Sequence, residues 1–81
     1  MKNHVYIIQS EAYPEEYYSG LCTDLDARLI DHNSGKSSHT AKYKPWKLIF
    51  RCWFKDATKA SSFEKYLKSG SGRAFASKRL R

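Results

Sequence analysis

Apolar positions fall into two periods along this chain. Residues 4–10 hold Val5, Tyr6, Ile7 and Ile8 in one unbroken β-branched and aromatic run, which predicts a buried strand rather than a helix. Residues 11–16 carry Pro14 and three acids, a turn signal. Residues 17–22, Tyr-Tyr-Ser-Gly-Leu-Cys, then read as the returning strand of an antiparallel hairpin. Thr23 with Asp24 and Asp26 predicts a helix cap, because carboxylates in a first turn meet the positive end of the helix dipole. The helix spans residues 24–33, with Leu25, Leu29 and flanking Ile30 as its apolar face and Asn33, Ser34 and Gly35 as its stop.

Residues 36–45 are polar and basic and end in Pro45, which predicts an exposed loop of the kind that carries function. Period two returns over residues 46–54, where Leu48, Phe50, Cys52 and Phe54 alternate with Lys47, Ile49, Arg51 and Trp53, a third strand. Asp56 or Thr58 caps a second helix whose Ala60, Phe63, Tyr66 and Leu67 sit at helical spacing, and Gly70 is expected to close it. Residues 72–80 have room for a last short helix. No repeat or linker divides the chain, so residues 1–81 read as one small α+β domain in the order β-β-α-β-α-α.

Composition narrows the class. At 81 residues, 41% hydrophobic and 15% aromatic, the chain can build one two-layer core, which excludes a multidomain enzyme and an intrinsically disordered segment. Its longest apolar runs, residues 5–8 and 48–54, fall far short of the ~18 residues of a membrane span, and the second contains Arg51. The first ten residues lack the pattern of a secretory signal, so a cytoplasmic location is expected. Cys22 and Cys52 make no disulfide framework and are expected as free buried thiols. A zinc site from His4, Cys22, His32, His39 and Cys52 has no recognised ligand spacing.

Charge is segregated. The net charge is +7, yet residues 1–31 hold Lys2 and Arg28 against six acids, net −4, while residues 32–81 hold thirteen bases against two acids, net +11. Such an excess attracts polyanions at long range, and nucleic acid is the commonest polyanion a cytoplasmic protein meets. The alternative is a merely solvated basic surface.

Three groups could carry chemistry. Arg28 and His32 lie four apart on one helix face, a guanidinium fork for phosphate beside a group that exchanges protons near neutral pH. Otherwise they are a solvated Arg paired with Asp24 or Asp31 and a surface His. Glu64 is one of two acids after residue 31 and shares a helix face with Ala60 and Leu67, which sets its carboxylate at the edge of the buried stripe. One carboxylate in a basic surface suits a divalent metal when phosphate and water complete the shell, although an ordinary pair with Lys68 at i+4 would also explain it. Tyr6 and Tyr18, on adjacent strands, can point to one face of the sheet, as core or stacking aromatics or as phenols near a cation.

The segments HVYII (Tyr6), YYSG (Tyr18 to Gly20), TDLDARLIDHNSGK (Arg28, His32), KPWKLIF and KASSFEKYLKSGSGR (Glu64) together resemble the GIY-YIG nuclease superfamily, and in particular its small stand-alone bacterial members. The resemblance covers nearly the whole chain, in order and spacing. It implies a three-stranded antiparallel sheet flanked by helices and an endonuclease that cuts DNA with one divalent metal, Mg2+ or Mn2+, in repair, recombination or DNA processing. It implies that Tyr6 acts as general base or water-orienting group, that Tyr18 is the second motif tyrosine and that Gly20 lets the strand pass close to the site. Arg28 would hold the scissile phosphate, His32 would transfer or orient a proton, and Glu64 would bind the metal. Departures from the usual pattern are His4-Val5-Tyr6 and Tyr18-Ser19-Gly20 in the two triplets, Leu21 where some members carry a base, and no placed counterpart of an asparagine found in larger relatives.

Lys36, Lys42, Lys44, Lys47, Arg73, Lys78, Arg79 and Arg81, with Tyr43 and Trp46 among them, read as a nucleic-acid track on which aromatic planes could stack unpaired bases, so single-stranded or branched DNA is the expected substrate. Trp46 could equally be a core anchor. A monomer is the expected state. The competing reading is a nucleic-acid-binding module with this fold and little catalysis.

Overall fold

The computed structural model describes residues 1–81. Strands β1 (His4–Ser10), β2 (Tyr17–Cys22) and β3 (Trp46–Trp53) form one antiparallel sheet in the order β2-β1-β3, with helices α1 (Leu25–Ser34), α2 (Ser38–Ala41), α3 (Ala57–Lys68) and α4 (Gly70–Arg79) around it. The expected α+β architecture is therefore the observed one. Because β1 is central, both its faces are buried, and this is why its sequence is a continuous apolar run.

Alternation along β1 sorts side chains into two cores. Val5 and Ile7 pack with Ala60 and Leu67 of α3 and Ala76 of α4, while Tyr6 and Ile8 pack with Cys22, Leu25 of α1 and Trp46. Strand β3 breaks the strict alternation expected of it. Ile7 faces Phe50 but Ile8 faces Leu48, so Ile49 is an extra residue in the ladder. This bulge turns Leu48 toward the α1 core, whereas Phe50, Cys52 and Phe54 join the α3–α4 core.

Element ends differ from expectation in three places. Asp24, not Thr23, caps α1, its carboxylate accepting from the Ala27 N–H at 3.1 Å, and Gly35 ends the helix at φ 84°, a left-handed conformation that side chains disfavour. Asp56 caps α3 as one of the two expected residues, but Gly70 does not close it. Ser69 ends α3 and its hydroxyl accepts from the Gly72 N–H at 3.1 Å to start α4. Within residues 36–45, expected as an open loop, lies the single helical turn of α2, with Thr40 buried. Cys22 is buried and Cys52 half-buried, both are free, and burial pushes both thiols up. No helix is long and apolar enough to cross a membrane.

Candidate functional site

Strand register builds the centre of the site. Tyr6 of β1 stands opposite Gly20 of β2, and Ile8 stands opposite Tyr18, so Tyr6, Tyr18 and Gly20 share the face toward α1. The Tyr6 phenol lies directly over Gly20. A Cβ there would overlap the hydroxyl and come within 2.7 Å of Cε1, so only glycine leaves room for the ring.

Above the sheet, α1 presents His32 to that phenol. The Tyr6 hydroxyl is 2.8 Å from His32 Nε2, and His32 Nδ1 is 2.7 Å from the Thr40 hydroxyl of α2. Thr40 donates to the Ser37 carbonyl at 3.4 Å, and the Trp46 indole N–H donates to the Thr40 carbonyl at 2.9 Å. A Thr40 hydroxyl that donates to Ser37 accepts from Nδ1–H, which leaves the Nε2 lone pair to accept from Tyr6. The tautomer follows from this bonding pattern.

Tyr6, His32 and Thr40 are each at most 1% exposed. Burial raises the Tyr6 hydroxyl to about 12, with neighbouring Tyr18 adding to the rise and Arg28 opposing it. Burial also lowers His32 to about 4, and the Arg28 charge lowers it further. At neutral pH both groups are uncharged, and the neutral imidazole keeps an Nε2 lone pair to accept the Tyr6 hydrogen bond.

Arg28, one turn before His32, is half-buried and biases both groups while holding only a loose ion pair with Asp31 at 3.8 Å. Lys36 also reaches Asp31 at 3.8 Å, and a long half-exposed contact of this kind commits little of the guanidinium. The Tyr18 ring stands 6.4 Å from Tyr6, 5.1 Å from His32 and 5.8 Å from His39, centroid to centroid.

Glu64 reaches this cluster by another route. It lies on α3, in the opposite layer from α1, with its side chain 12% exposed, as expected of a residue at the edge of the stripe. Its carboxylate pairs with Lys68 one turn on, and the Lys68 ammonium lies 5.7 Å from the Tyr18 ring centre. The structure thus brings together Tyr6, Tyr18, Gly20, Arg28 and His32, and joins Glu64 to them through Lys68. No group of three or more His, Cys, Asp or Glu side chains is placed to hold a metal ion. A lone, sheltered carboxylate fits Mg2+ or Mn2+ only where phosphate oxygens and water supply the other ligands, a donor set these hard cations accept.

Lys36, Lys42, Lys44, Lys47 and Arg73 are all exposed, as a polyanion track requires, and Lys42 lies over the half-buried Tyr43 ring at 5.2 Å. Of the two roles expected of Trp46 the structure shows the core anchor, which removes it from the stacking track. At 4% exposure, bonded to Thr40 and edge-on to Tyr43 at 6.4 Å, it is a core anchor. Sequence reasoning missed Thr40, for which no local pattern exists. His39 enters the sequence reading only as a candidate zinc ligand, not as a neighbour of Tyr18, and Lys68 only as a pairing partner of Glu64, although that i+4 spacing was the available signal.

The family model of the GIY-YIG catalytic domain matches residues 2–78. A UPF0213 protein of Streptococcus pneumoniae serotype 4 (strain ATCC BAA-334 / TIGR4) is 38% identical over 69 residues, 84% of this chain and 70% of that protein. UPF0213 protein spr1390 of Streptococcus pneumoniae (strain ATCC BAA-255 / R6) is 36% identical over the same shares of each chain. No solved structure matches.

Proposed function

Because this chain belongs to the GIY-YIG family, a nuclease superfamily, we propose that it is an endonuclease that hydrolyses DNA phosphodiester bonds with one divalent metal, Mg2+ or Mn2+. Single-stranded or branched DNA is its substrate, repair, recombination or DNA processing its setting, and a monomer its working form. The observation that carries the reading is the Tyr6–His32 hydrogen bond under Arg28 and over Gly20.

Attack of water on phosphorus requires a proton acceptor, a counter-charge on the non-bridging oxygens and a departing oxygen. In this reading DNA binding uncovers the Tyr6 oxygen, buried in the free protein, to the attacking water, whose proton it takes as its own passes to His32 Nε2, so no free phenolate has to form in a site that raises the phenol to about 12. A phosphate arriving beside Arg28 offsets the positive charge that lowers His32, and the imidazole becomes a better base when substrate is present. Arg28 neutralises the growing charge on the phosphorane oxygens as the water oxygen bonds to phosphorus and the leaving oxygen departs. Glu64 would hold the metal, which when bound supplies further positive charge against those oxygens.

The test is cleavage of end-labelled single-stranded, duplex and branched DNA with Mg2+ or Mn2+, beside Glu64→Gln and Arg28→Ala. Each substitution is expected to cost on the order of 10²–10³ in rate, with the DNA affinity of Glu64→Gln retained. Undiminished cutting by Glu64→Gln would end the metal-ligand assignment. No product from the natural protein on any substrate, with tight binding that weakens steeply as salt rises, would favour a binding module instead.

A further inference from the structure

Strand β2 is a free edge of the sheet, and a pocket of about 450 Å³ opens along it, inside the ~300–1,000 Å³ range of small-molecule sites. Tyr18 forms part of its wall together with His39 of α2. The charges that line it have both signs and come from different parts of the chain, Glu15 and Glu16 from the hairpin turn, Lys68 from α3, Arg73 from α4 and Arg81 beyond it. They do not neutralise one another. The ion pairs of the structure are Arg28–Asp31, Lys36–Asp31 and Lys68–Glu64, and none includes Glu15, Glu16 or Arg73.

A simple anion would be repelled by the two glutamates and a simple cation by Lys68, Arg73 and Arg81. A nucleotide suits all of them. Its phosphate is anionic, its base is a plane for Tyr18 and the exposed His39 ring, and the exocyclic amino groups of adenine, cytosine and guanine donate to carboxylates. Within a duplex those amino groups are engaged in pairing and the base faces are covered by neighbours, so the fitting ligand is an unpaired nucleotide.

We propose that the cavity along β2 seats one unpaired nucleotide of the DNA strand, phosphate on Lys68 and Arg73, base against Tyr18 and His39, and amino edge toward Glu15 and Glu16. Since Tyr18 also borders Tyr6 and His32, this nucleotide flanks the bond to be cut. That adjacency rests on the nuclease reading, whereas the nucleotide site itself does not.

The test is fluorescence anisotropy of a labelled short single strand and of a blunt duplex, titrated without divalent metal. Arg73→Ala and His39→Ala are expected to weaken single-strand binding on the order of tenfold. Duplex binding should fall no more than it does with Lys78→Ala, an exposed base of α4 outside the cavity. Glu15→Gln with Glu16→Gln should erase a preference for oligo-dC over oligo-dT. The proposal is overturned if Arg73→Ala and Lys78→Ala weaken both ligands alike, if His39→Ala leaves the single-strand to duplex ratio unchanged, or if the natural protein binds oligo-dC and oligo-dT equally. A natural protein that cuts nothing sinks the nuclease reading and leaves these titrations, run without metal, fully decisive.

Discussion

The two faces of the sheet solve the same burial problem with opposite chemistry. Val5 and Ile7 point toward α3 and α4 into a cluster of aliphatic and aromatic carbon. One residue along in the strand, Tyr6 points toward α1 into a chain of hydrogen bonds through His32 and Thr40, shut away from water as completely as the aliphatic core. No buried side-chain nitrogen or oxygen lacks a partner. An apolar core tolerates modest changes of volume, but a buried polar chain fails when one member is lost, since the remaining groups have no water to turn to. The α3–α4 face is therefore apolar throughout, whereas the α1 face adds to its own apolar cluster of Ile8, Cys22, Leu25 and Trp46 a buried polar chain that shifts the proton affinities of Tyr6 and His32.

The sharpest way to break this contrast is one small change on each face, a methyl group added at Gly20 and the isopropyl group of Val5 cut to a methyl. Gly20→Ala drives a Cβ into the Tyr6 phenol and must displace it from His32. The expected result is a loss of cleavage on the order of 10²-fold or more, with about 1–3 kcal/mol of stability, read from kinetics beside chemical denaturation. Val5→Ala on the other face should cost a similar ~2 kcal/mol while the folded fraction cuts at its natural rate. Should Gly20→Ala cut normally, or Val5→Ala lose its activity per folded molecule, the division between the faces is wrong.

Acid should act on one face only. His32 falls from 6.5 to about 4 on folding, so the unfolded chain binds a proton that the folded chain refuses. The stabilising contribution is intact above pH 6.5 and is lost as pH falls toward 4, up to about 3 kcal/mol at one unit per 1.4 kcal/mol. Urea titrations of the natural protein and of His32→Gln across that window test the assignment. The substituted protein should have the shallower pH dependence, and parallel curves would show that His32 does not hold its proton affinity down.

Much of this arrangement was legible in the chain, and the parts that were not share a cause. The strands at residues 4–10 and 17–22 follow from β-branched runs and a Pro-containing turn, and once Tyr6 is paired with Gly20 the need for a glycine follows from register. The bulge at Ile49 was invisible because an extra residue in a ladder leaves the apolar count unchanged. Four residues of α2 are too few to show a helical period, and Trp46, between Pro45 and Lys47, stays open between stacking surface and core anchor until its indole is seen bonded to Thr40. Thr40 meets His32 across the end of α1 and an intervening turn, a pairing set by tertiary geometry alone.

That pairing supplies the smallest and most specific test. Thr40→Val keeps the shape of the side chain and removes the hydroxyl that accepts from His32 Nδ1–H. A buried donor left without a partner costs about 1–3 kcal/mol, and the imidazole can lower that cost by moving its proton to Nε2, where it faces Tyr6. The ring would then donate to the phenol instead of accepting from it, and proton transfer out of Tyr6 would have no destination. Cleavage should fall on the order of tenfold beyond any loss of folded protein, with Thr40→Ser restoring it, and nitrogen NMR of His32 should show the proton moved from Nδ1 to Nε2. If the valine variant keeps both its rate and its Nδ1 proton, Thr40 is merely filling space, and the polar face is no more demanding of its partners than the apolar one.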